Sequence, residues 1–231
     1  MRGSKKLIDT NIISTQNIID GDVGPLSFQE GGSSRRNGIA FFDFDGTITK
    51  SDTFFGFLRY AVRFKLFFYK SLLAMPILLI YKLHIISNSK AKEKVFSIFF
   101  KGWKYEEFKQ KATEYSLSVM PKEIRKEAHR KIRWHFEKNH EVVIVSASME
   151  EWILPWAKAK GLKVISTKPE VIDGEVTGRF ATANCYGPEK ANRIREQYDL
   201  ELYDHIFAYG DSRGDREMIA LADEKHYRDF V

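Results

Sequence analysis

The stretch Ile39-Ala40-Phe41-Phe42-Asp43-Phe44-Asp45-Gly46-Thr47 decides the fold of this 231-residue chain. Its first four residues are apolar, and two carboxylates and a glycine come soon after them. A short apolar run that stops at polar residues is typical of a parallel strand, buried on both faces, that ends in a functional loop. The stretch therefore predicts a strand over 39–42 whose carboxyl end carries Asp43 and Asp45.

Two later stretches have the same form. Residues 142–145 (Val-Val-Ile-Val) run into Ser146-Ala147-Ser148, and residues 205–209 (His-Ile-Phe-Ala-Tyr) run into Gly210-Asp211-Ser212. Helical patterns lie between and after these runs, and repeated strand–loop–helix units indicate a sheet with helices on both faces. We predict an α/β fold with a Rossmann-like parallel sheet, which binds its ligand at the carboxyl ends of the strands.

The composition limits the class of protein. Hydrophobic residues make up 43% of the chain and aromatic residues 14%, which is enough for a full core and excludes wholesale disorder. The single cysteine, Cys185, excludes an internal disulfide framework and a multi-cysteine zinc site. The formal charge of +6 suggests an anionic partner, either phosphate, nucleic acid or a membrane surface.

The chain divides into three parts. Residues 1–38 are rich in Ser, Asn, Asp and Gly and are predicted to form a flexible N-terminal extension. Residues 39–50 and 139–231 are predicted to form the catalytic core. Residues 51–138 have apolar side chains at helical spacing, which predicts a helical cap inserted after the first strand.

A smaller insert follows the second strand. Residues 163–166 and 170–172, the pair Asp173-Gly174 and residues 175–180 together predict a β-hairpin. Asp-Gly is a strong signal for the two-residue turn of such a hairpin.

Asp43 and Asp45 are the first candidates for chemistry. They lie two residues apart, so on an extended segment their side chains point the same way and their charges repel. Mg²⁺ suits such a pair because it takes a few carboxylates together with water and phosphate oxygens. One carboxylate can also attack phosphorus while the other protonates the leaving oxygen and then activates water. The alternative is a polar turn in which Asp45 caps a helix.

Polar residues also follow the other two strands. Asp211 could complete a metal site, and Asp215 could contact the metal through water or orient Lys190; the alternative for the two aspartates is capping of the next helix. Ser146 offers a hydroxyl and backbone N–H groups to phosphate oxygens, or else it caps a helix. Lys190 would offset the charge of a phosphate, or else it is a solvated surface residue.

This ordered set of residues resembles the four motifs of the haloacid dehalogenase-like superfamily, in its phosphatase branch. The resemblance covers roughly residues 39–229. The residues that carry it are Asp43, Asp45, Thr47, Ser146, Lys190, Asp211 and Asp215.

The resemblance implies a role for each residue. Asp43 would be the nucleophile and a Mg²⁺ ligand. Asp45 would be the general acid and base and would give its backbone carbonyl to the metal. Asp211 would complete the metal site, with Asp215 behind it.

Phosphate binding is implied by the same resemblance for Ser146, Lys190 and Thr47. A carboxylate at position 45 favours phosphomonoester hydrolysis, because the dehalogenases and ion-pumping ATPases of the superfamily carry other residues there. One departure is Gly214, where many relatives have Asn or another polar residue.

The helical cap with a small hairpin after the second motif looks like subfamily IB, the phosphoserine-phosphatase-like branch. Two kinds of member compare well. Phosphoserine phosphatase usually has Ser where this chain has Gly46, and a cap Glu where this chain has Asp52. The C-type phosphatidylglycerophosphatase looks more similar, because residues 51–60 and 185–190 resemble its sequence. Asp52 and Arg59 are the cap's candidate substrate contacts.

The basic excess lies in the cap. Seven basic residues and no acidic one lie within 54–92, so this segment alone exceeds the formal charge of the whole chain. Residues 71–81 are uncharged and mostly apolar, but they are too few to span a bilayer, which takes about 20. They predict either a helix in the membrane interface or a cap helix buried against its neighbours.

Partners and location follow from these features as expectations. The expected substrate is a small-molecule or lipid phosphomonoester, and the expected cofactor is Mg²⁺. We expect a cytoplasmic protein, with peripheral contact between the cap and an anionic membrane as an option. No nucleic-acid partner is expected, since the sequence carries no nucleic-acid-binding motif, and the oligomeric state is left open.

Overall fold

Strand Ile39–Phe42 lies at the centre of the main sheet in the computed structural model, which describes residues 36–230. In chain order the strands are β1 (Ile39–Phe42), β2 (Glu141–Met149), β3 (Lys163–Thr167), β4 (Pro169–Ile172), β5 (Glu175–Phe180), β6 (Ile206–Gly210) and β7 (Glu224–Tyr227). The main sheet has five strands in the order β3-β2-β1-β6-β7, and every pairing in it is parallel.

The register of the sheet brings three strand ends together. Phe42, the last residue of β1, lies beside Ile144 of β2 and Tyr209 of β6. From β1 the sheet is built outward on both sides, with β2 and β3 on one side and β6 and β7 on the other. In α/β folds, ligands bind in the crevice at such a switch point in the strand order. The predicted α/β fold with a parallel sheet is confirmed, and the three predicted polar segments lie at one edge of the sheet. Residues 146–148, however, belong to the end of β2 and not to a loop after it, because β2 still pairs with β3 as far as Met149.

Eight helices surround the sheet within the described residues. They are α1 (Thr53–Ala61), α2 (Phe64–Lys82), α3 (Asn88–Phe100), α4 (Tyr105–Ser118), α5 (Lys126–Glu137), α6 (Glu150–Ala159), α7 (Pro188–Gln197) and α8 (Arg216–Ile219). The first four form the helical insert over the loop that follows β1. Phe57 of α1 joins this insert to the core, because its ring stacks on Trp152 of α6 with centroids 4.6 Å apart.

Helix α5 packs on the sheet rather than over the site. His135 Nε2 lies 2.9 Å from the Tyr209 hydroxyl, and the His135 ring meets the edge of Phe42 at 5.7 Å. The predicted cap, 51–138, therefore includes one helix whose apolar contacts belong to the core.

The predicted hairpin is shorter than expected. The prediction places residues 163–166 in it, but they belong to β3, which pairs with β2 in the main sheet, with Val164 beside Ile144. Burial explains the difference, since Ile165 is packed in the core and supplies apolar contacts that a surface hairpin would not. The hairpin itself is β4–β5, and both turn residues, Asp173 and Gly174, have the positive φ of a type I′ turn.

Residues before Ile39 also contact the core. The Arg36 backbone N–H donates to the Leu202 carbonyl at 2.7 Å, and the Arg36 carbonyl accepts from Asp204 N–H at 2.9 Å. Residues 36–38 of the predicted extension are thus bound to the core, because this backbone finds partners beside β6. The rest of that extension, 1–35, lies outside the described residues.

Helix α2 is exposed. Of its 19 residues only Ala74 is buried, so the interpretation of residues 71–81 as a buried cap helix is wrong. The helix is also longer than the uncharged segment, and by length and composition alone it could cross a bilayer. Within residues 36–230 it packs mainly along α3 and also touches α1, and most of its apolar side chains are exposed.

Candidate active site

Asp43 lies directly at the carboxyl end of β1. Its backbone N–H donates to the Tyr209 carbonyl at 2.9 Å, and its carboxylate accepts a hydrogen bond from Lys190 Nζ at 2.5 Å. Burial raises the pKa of Asp43 to about 8, although the charge of Lys190 acts in the opposite direction. A carboxylate in this position is therefore stabilised by any further positive charge.

Lys190 is held between two carboxylates. It lies in the first turn of α7, which begins after Gly187 with Pro188 at its first position. The side chain is buried, and Nζ donates to Asp215 Oδ1 at 2.7 Å as well as to Asp43. Burial lowers the pKa of Lys190, but the two carboxylates outweigh this effect and raise it overall. Lys190 is a charged group of the site and not a solvated surface residue.

Asp215 is fully engaged by its neighbours. Its Oδ2 accepts from the backbone N–H groups of Asp211 at 3.2 Å and Ser212 at 2.9 Å, and from the Ser212 hydroxyl at 2.7 Å. With Lys190 on Oδ1, these bonds hold the Asp215 carboxylate in one orientation. This is the contact expected if Asp215 orients Lys190. Ser212, not Asp211, caps the short turn that follows.

Three carboxylates lie close enough to hold a metal ion. One oxygen from each of Asp43, Asp211 and Asp215 lies within 4.8 Å of the other two. An all-oxygen donor set with this charge suits a hard divalent cation such as Mg²⁺. The cluster contains the predicted ligands Asp43 and Asp211. Thr47 donates its hydroxyl to Asp211 Oδ1 at 3.2 Å, which places it against a candidate metal ligand.

Asp45 points its carboxylate towards the cap. Its Oδ1 accepts from the backbone N–H of Thr53 at 2.7 Å and from the Thr53 hydroxyl at 2.5 Å, and Oδ2 accepts from the Ser148 hydroxyl at 2.5 Å. Asp45 thus does bind the first N–H of α1, as the capping alternative required, although Asp52 is the residue at the cap position of that helix. The contacts join the catalytic loop to the cap and to β2.

Of the remaining predicted site residues, one lines the cavity and two do not. Asp52 lines the cavity over the site, as do Asp43, Asp45 and Lys190. Ser146 is buried in β2, where its hydroxyl accepts from the Ser148 backbone N–H at 3.0 Å, and it does not line the cavity. Arg59 is exposed in the last turn of α1 and also does not line it. The structure therefore brings neither Ser146 nor Arg59 to the cavity wall.

The cavity lies between the core and the cap and has a volume of about 260 Å³. Its charged floor comes from the core. Its upper wall is largely apolar, and it comes from α1, α2 and α3 through Phe54, Phe55, Leu78, Tyr81 and Val95. A ligand with a charged end and an apolar remainder matches this division.

Lys92 is a site residue that sequence reasoning did not select. Its Nζ donates to the Ala147 carbonyl at 3.0 Å and lies 4.8 Å from the centroid of Phe54. Burial lowers the pKa of Lys92, while Asp45 and Asp52 act in the opposite direction. It supplies a second cation to the cavity, from the cap side. Its only sequence signal was membership of the basic cap segment.

Two hydroxyl residues were also missed. Thr53 and Ser148 hold Asp45, and the Trp152 indole N–H donates to the Thr53 hydroxyl at 3.2 Å. Ser148 stands in one of the polar loops predicted from the sequence, two residues after Ser146. Thr53 had no signal beyond its place at the start of the cap.

The departure at position 214 has a structural reason. A Cβ on Gly214 would overlap the ring of Tyr186, which packs directly against this backbone and lines the cavity. The Tyr186 ring therefore fills the space that a side chain at position 214 would occupy.

We expect Gly46→Ala to impair the metal cluster. Gly46 has φ +88°, and a Cβ there would lie 2.6 Å from Asp211 Oδ2. Gly161→Ala is the matched control, because Gly161 also has a positive φ (+70°) but no atom within 4 Å of its Cβ position. Both substitutions should cost about 1–2 kcal/mol of stability through backbone strain, but only Gly46→Ala should weaken Mg²⁺ binding measured by calorimetry. Equal Mg²⁺ affinity in the two variants would contradict this account.

The fold and the site define a class of protein. The profile of the haloacid dehalogenase-like hydrolases matches residues 40–220, and the chain belongs to this family. It is therefore an enzyme of the hydrolase class, which agrees with the aspartates that follow β1 and β6 and with a carboxylate cluster that could hold a metal ion.

Two proteins with similar sequences are informative. The chain is 33% identical over 198 residues to Protein CicA of Caulobacter vibrioides, covering 83% of this chain and 86% of that protein. A probable phosphatase of Mycobacterium tuberculosis is 36% identical over 121 residues, covering 51% of this chain and 42% of that protein.

Solved structures share the fold at low identity. A protein of unknown function from Bordetella pertussis Tohama I superposes with a TM-score of 0.71 at 20% identity, covering 81% of this chain and 87% of that one. A substrate-bound phosphoserine phosphatase superposes with a TM-score of 0.61 at 17% identity, covering 84% and 87%.

Proposed function

We propose that the chain is a Mg²⁺-dependent phosphomonoesterase that works through an aspartyl-phosphate on Asp43. The observation that carries this proposal is the position of Asp43 on the charged floor of the cavity, bonded to Lys190 at 2.5 Å and within the carboxylate cluster. A buried nucleophile beside a fixed cation is suited to an attack on phosphorus, because the cation stabilises the charge of the phosphoryl group.

The first half of the reaction transfers the phosphoryl group to the enzyme. An Asp43 carboxylate oxygen forms a bond to phosphorus while the bond from phosphorus to the leaving oxygen breaks. Asp45 gives a proton to that oxygen, so the product leaves as an alcohol. Lys190 holds its charge beside the transferring group, and Asp215 keeps Lys190 in place.

The second half returns the enzyme to its starting state. Asp45 takes a proton from water, the water oxygen bonds to phosphorus, and the bond from phosphorus to Asp43 breaks. Inorganic phosphate is released and Asp45 is again protonated for the next turnover. A bound Mg²⁺ ion, held by Asp43 and Asp211, would supply charge stabilisation to the phosphoryl oxygens.

For the substrate we propose a lipid-headgroup phosphomonoester, similar to phosphatidylglycerophosphate, and a place for the chain in subfamily IB. The cavity supports this choice because it pairs two cations, Lys190 and Lys92, with an apolar wall from the cap. A soluble small-molecule phosphate such as phosphoserine is the second candidate. The fold shared with phosphoserine phosphatases supports it.

We also propose that the protein is located in the cytoplasm, at the inner face of the membrane. The substrate class supports this location, because a lipid headgroup phosphate stays at the bilayer surface. The basic segment 54–92 supports it as well, since anionic lipids attract such segments.

A phosphate-release assay tests the proposed function. The purified chain is incubated with phosphatidylglycerophosphate in mixed micelles, phosphoserine, sugar phosphates and nucleotides, each with Mg²⁺ and with EDTA. We expect release that depends on Mg²⁺ and is fastest with the lipid phosphate. Fastest release from phosphoserine would select the second candidate, and release that is unaffected by EDTA would contradict the metal site.

A further inference from the structure

Helix α2 is apolar around most of its circumference, and unlike an ordinary surface helix it exposes much of this apolar surface to solvent. The side that packs along α3 includes Phe67, Lys70 and Ala74, and Lys70 Nζ donates to the Phe99 carbonyl at 2.6 Å. The outer face of α2, which points away from the protein, consists of Phe64, Phe68, Leu72, Met75 and Leu79. Each of these five side chains is more than half exposed. Water is an unfavourable solvent for such a face, so the face needs a partner.

The apolar surface is too wide for the contact face of a typical amphipathic helix. Besides the outer face, large apolar residues are exposed around the helix on the side away from α3, including Leu66, Leu73 and Ile80. A helix that is apolar around most of its circumference belongs in an apolar medium. A bilayer surrounds such a helix from all free sides, whereas a protein partner would contact one side.

The attachment of α2 to α3 decides its orientation in that medium. Near one end of α2, Phe67 packs on Phe99 with centroids 5.9 Å apart, and at the other end Asn88 donates to the Tyr81 hydroxyl at 3.3 Å. Phe99 and Asn88 lie at opposite ends of α3, so α2 lies along the whole of α3, a length of about 20 Å. A helix held in this way lies in the plane of the interface and does not cross the bilayer.

The charge of the surrounding segment indicates the kind of bilayer. Residues 54–92 contain seven basic side chains and no acidic one, and Arg63, Lys65 and Lys82 lie at the two ends of α2, exposed. A second copy of the chain would bring the same positive charge against this surface. Anionic headgroups complement it, because they attract basic side chains that lie near the membrane surface.

The surface is continuous with the cavity. Leu78 and Tyr81 belong to α2 and also line the cavity over Asp43. A bilayer that covers the outer face of α2 therefore lies next to the mouth of the cavity, so a lipid headgroup would have a short path to the charged floor.

We propose that the outer face of α2 docks on an anionic bilayer, with the helix lying in the interface and the cavity opening at the level of the headgroups. This docking does not require the proposed phosphatase activity, although it would explain how a lipid phosphate reaches Asp43.

Vesicle sedimentation tests the docking. The full chain is mixed at low salt with vesicles of phosphatidylcholine and phosphatidylserine, or of phosphatidylcholine alone. We expect the wild type to bind the mixed vesicles and to bind neutral vesicles much more weakly. The double variant Leu72→Gln/Leu79→Gln should lose at least about tenfold in affinity, because two leucines no longer enter the bilayer.

The control variant is Leu117→Gln/Leu202→Gln, which changes two leucines of similar exposure elsewhere on the surface. Leu72 and Leu79 are 56% and 58% exposed, and Leu117 and Leu202 are 56% and 51%. The control should bind like the wild type. Thermal unfolding and hydrolysis of p-nitrophenyl phosphate show that each variant is folded.

Several outcomes would overturn the proposal. They are no binding by the wild type, equal binding by the α2 variant, or a wild-type oligomer that the α2 variant converts to a monomer without any vesicle binding. Equal binding to the two kinds of vesicle would overturn its electrostatic part. An Asp43→Asn variant should still bind vesicles, which separates a failure of docking from a failure of the proposed catalysis.

Discussion

Replacement of Asp43 by Asn should reduce kcat for phosphate release by about a thousandfold or more. Asn keeps the shape of the side chain and can still contact Lys190, but its amide oxygen does not form a stable bond to phosphorus. The fold should be kept, because the substitution removes a buried carboxylate whose pKa is raised to about 8 by burial. Phosphate release with Mg²⁺ at saturating substrate measures the effect.

The control for this prediction is Asp204→Asn, an exposed aspartate far along the chain from the catalytic loop. It should be as active as the wild type. A second measurement is the phosphoryl group itself: acid quenching during turnover, followed by peptide mass spectrometry, should find it on Asp43 in the wild type. Full activity of Asp43→Asn, or a phosphoryl group on another residue, would refute the mechanism.

Replacement of Lys190 by Met should destabilise the fold as well as abolish activity. Lys190 is 1% exposed and bonds to both Asp43 and Asp215. Its loss leaves two buried carboxylates facing each other, and removal of one partner of a buried ion pair costs about 3–5 kcal/mol. Urea unfolding measures this loss, and phosphate release measures the loss of activity.

The control for Lys190→Met is Lys111→Met. Lys111 bonds to Glu114 at 2.9 Å, but both side chains are well exposed to water. Water screens an exposed pair, so its contribution to stability is small and this variant should unfold almost like the wild type. Similar losses in the two lysine variants would contradict the burial argument.

A double variant isolates the ion pair itself. Asp215→Asn should be destabilising in the wild type, because Lys190 loses one of its two partners. In the Lys190→Met background the same substitution removes an unpaired buried charge and should be much less harmful. Simple additivity of the two losses would show that the pair contributes nothing beyond its separate parts.

The strand-end residues could be predicted because their signal is local. The apolar run 39–42 and the polar loop after it are adjacent in sequence, and so are Tyr209, Gly210 and Asp211. Parallel strands then bring separate loops to one edge without further information. The sheet and the pairing of Asp43 with Asp211 could therefore be predicted from the order of residues along the chain. The place of Lys190, which lies on helix α7, was predicted only from the resemblance to the haloacid dehalogenase-like superfamily.

The contacts that individual side chains make within the site could not be predicted from the sequence. Thr47 faces Asp211, and Ser146 is buried in β2 away from the cavity. Asp45 is held by Thr53 and Ser148, which come from two different elements. A hydroxyl's partner depends on backbone direction and on its neighbours in space, and neither is encoded in the spacing of a motif.

In the cap, the burial of single residues and of a whole helix could likewise not be predicted from the sequence. Lys90 and Lys92 are two residues apart and chemically identical, yet Lys90 is exposed and Lys92 lines the cavity. The apolar composition of α2 was equally compatible with a buried helix and with one that faces a membrane. Burial is a property of what packs against a residue, so composition alone did not distinguish the two.

From local patterns alone we could predict the α/β class, the edge of the sheet that carries the chemistry, and the acidic groups at that edge, because short apolar runs and the order of strands and loops are local properties of the chain. The folded structure was needed to show that β3 joins the main sheet, that Lys92 enters the cavity, and that the outer face of α2 has no neighbour within residues 36–230. Those outcomes depend on which distant segments come into contact, and that is fixed by packing around the sheet.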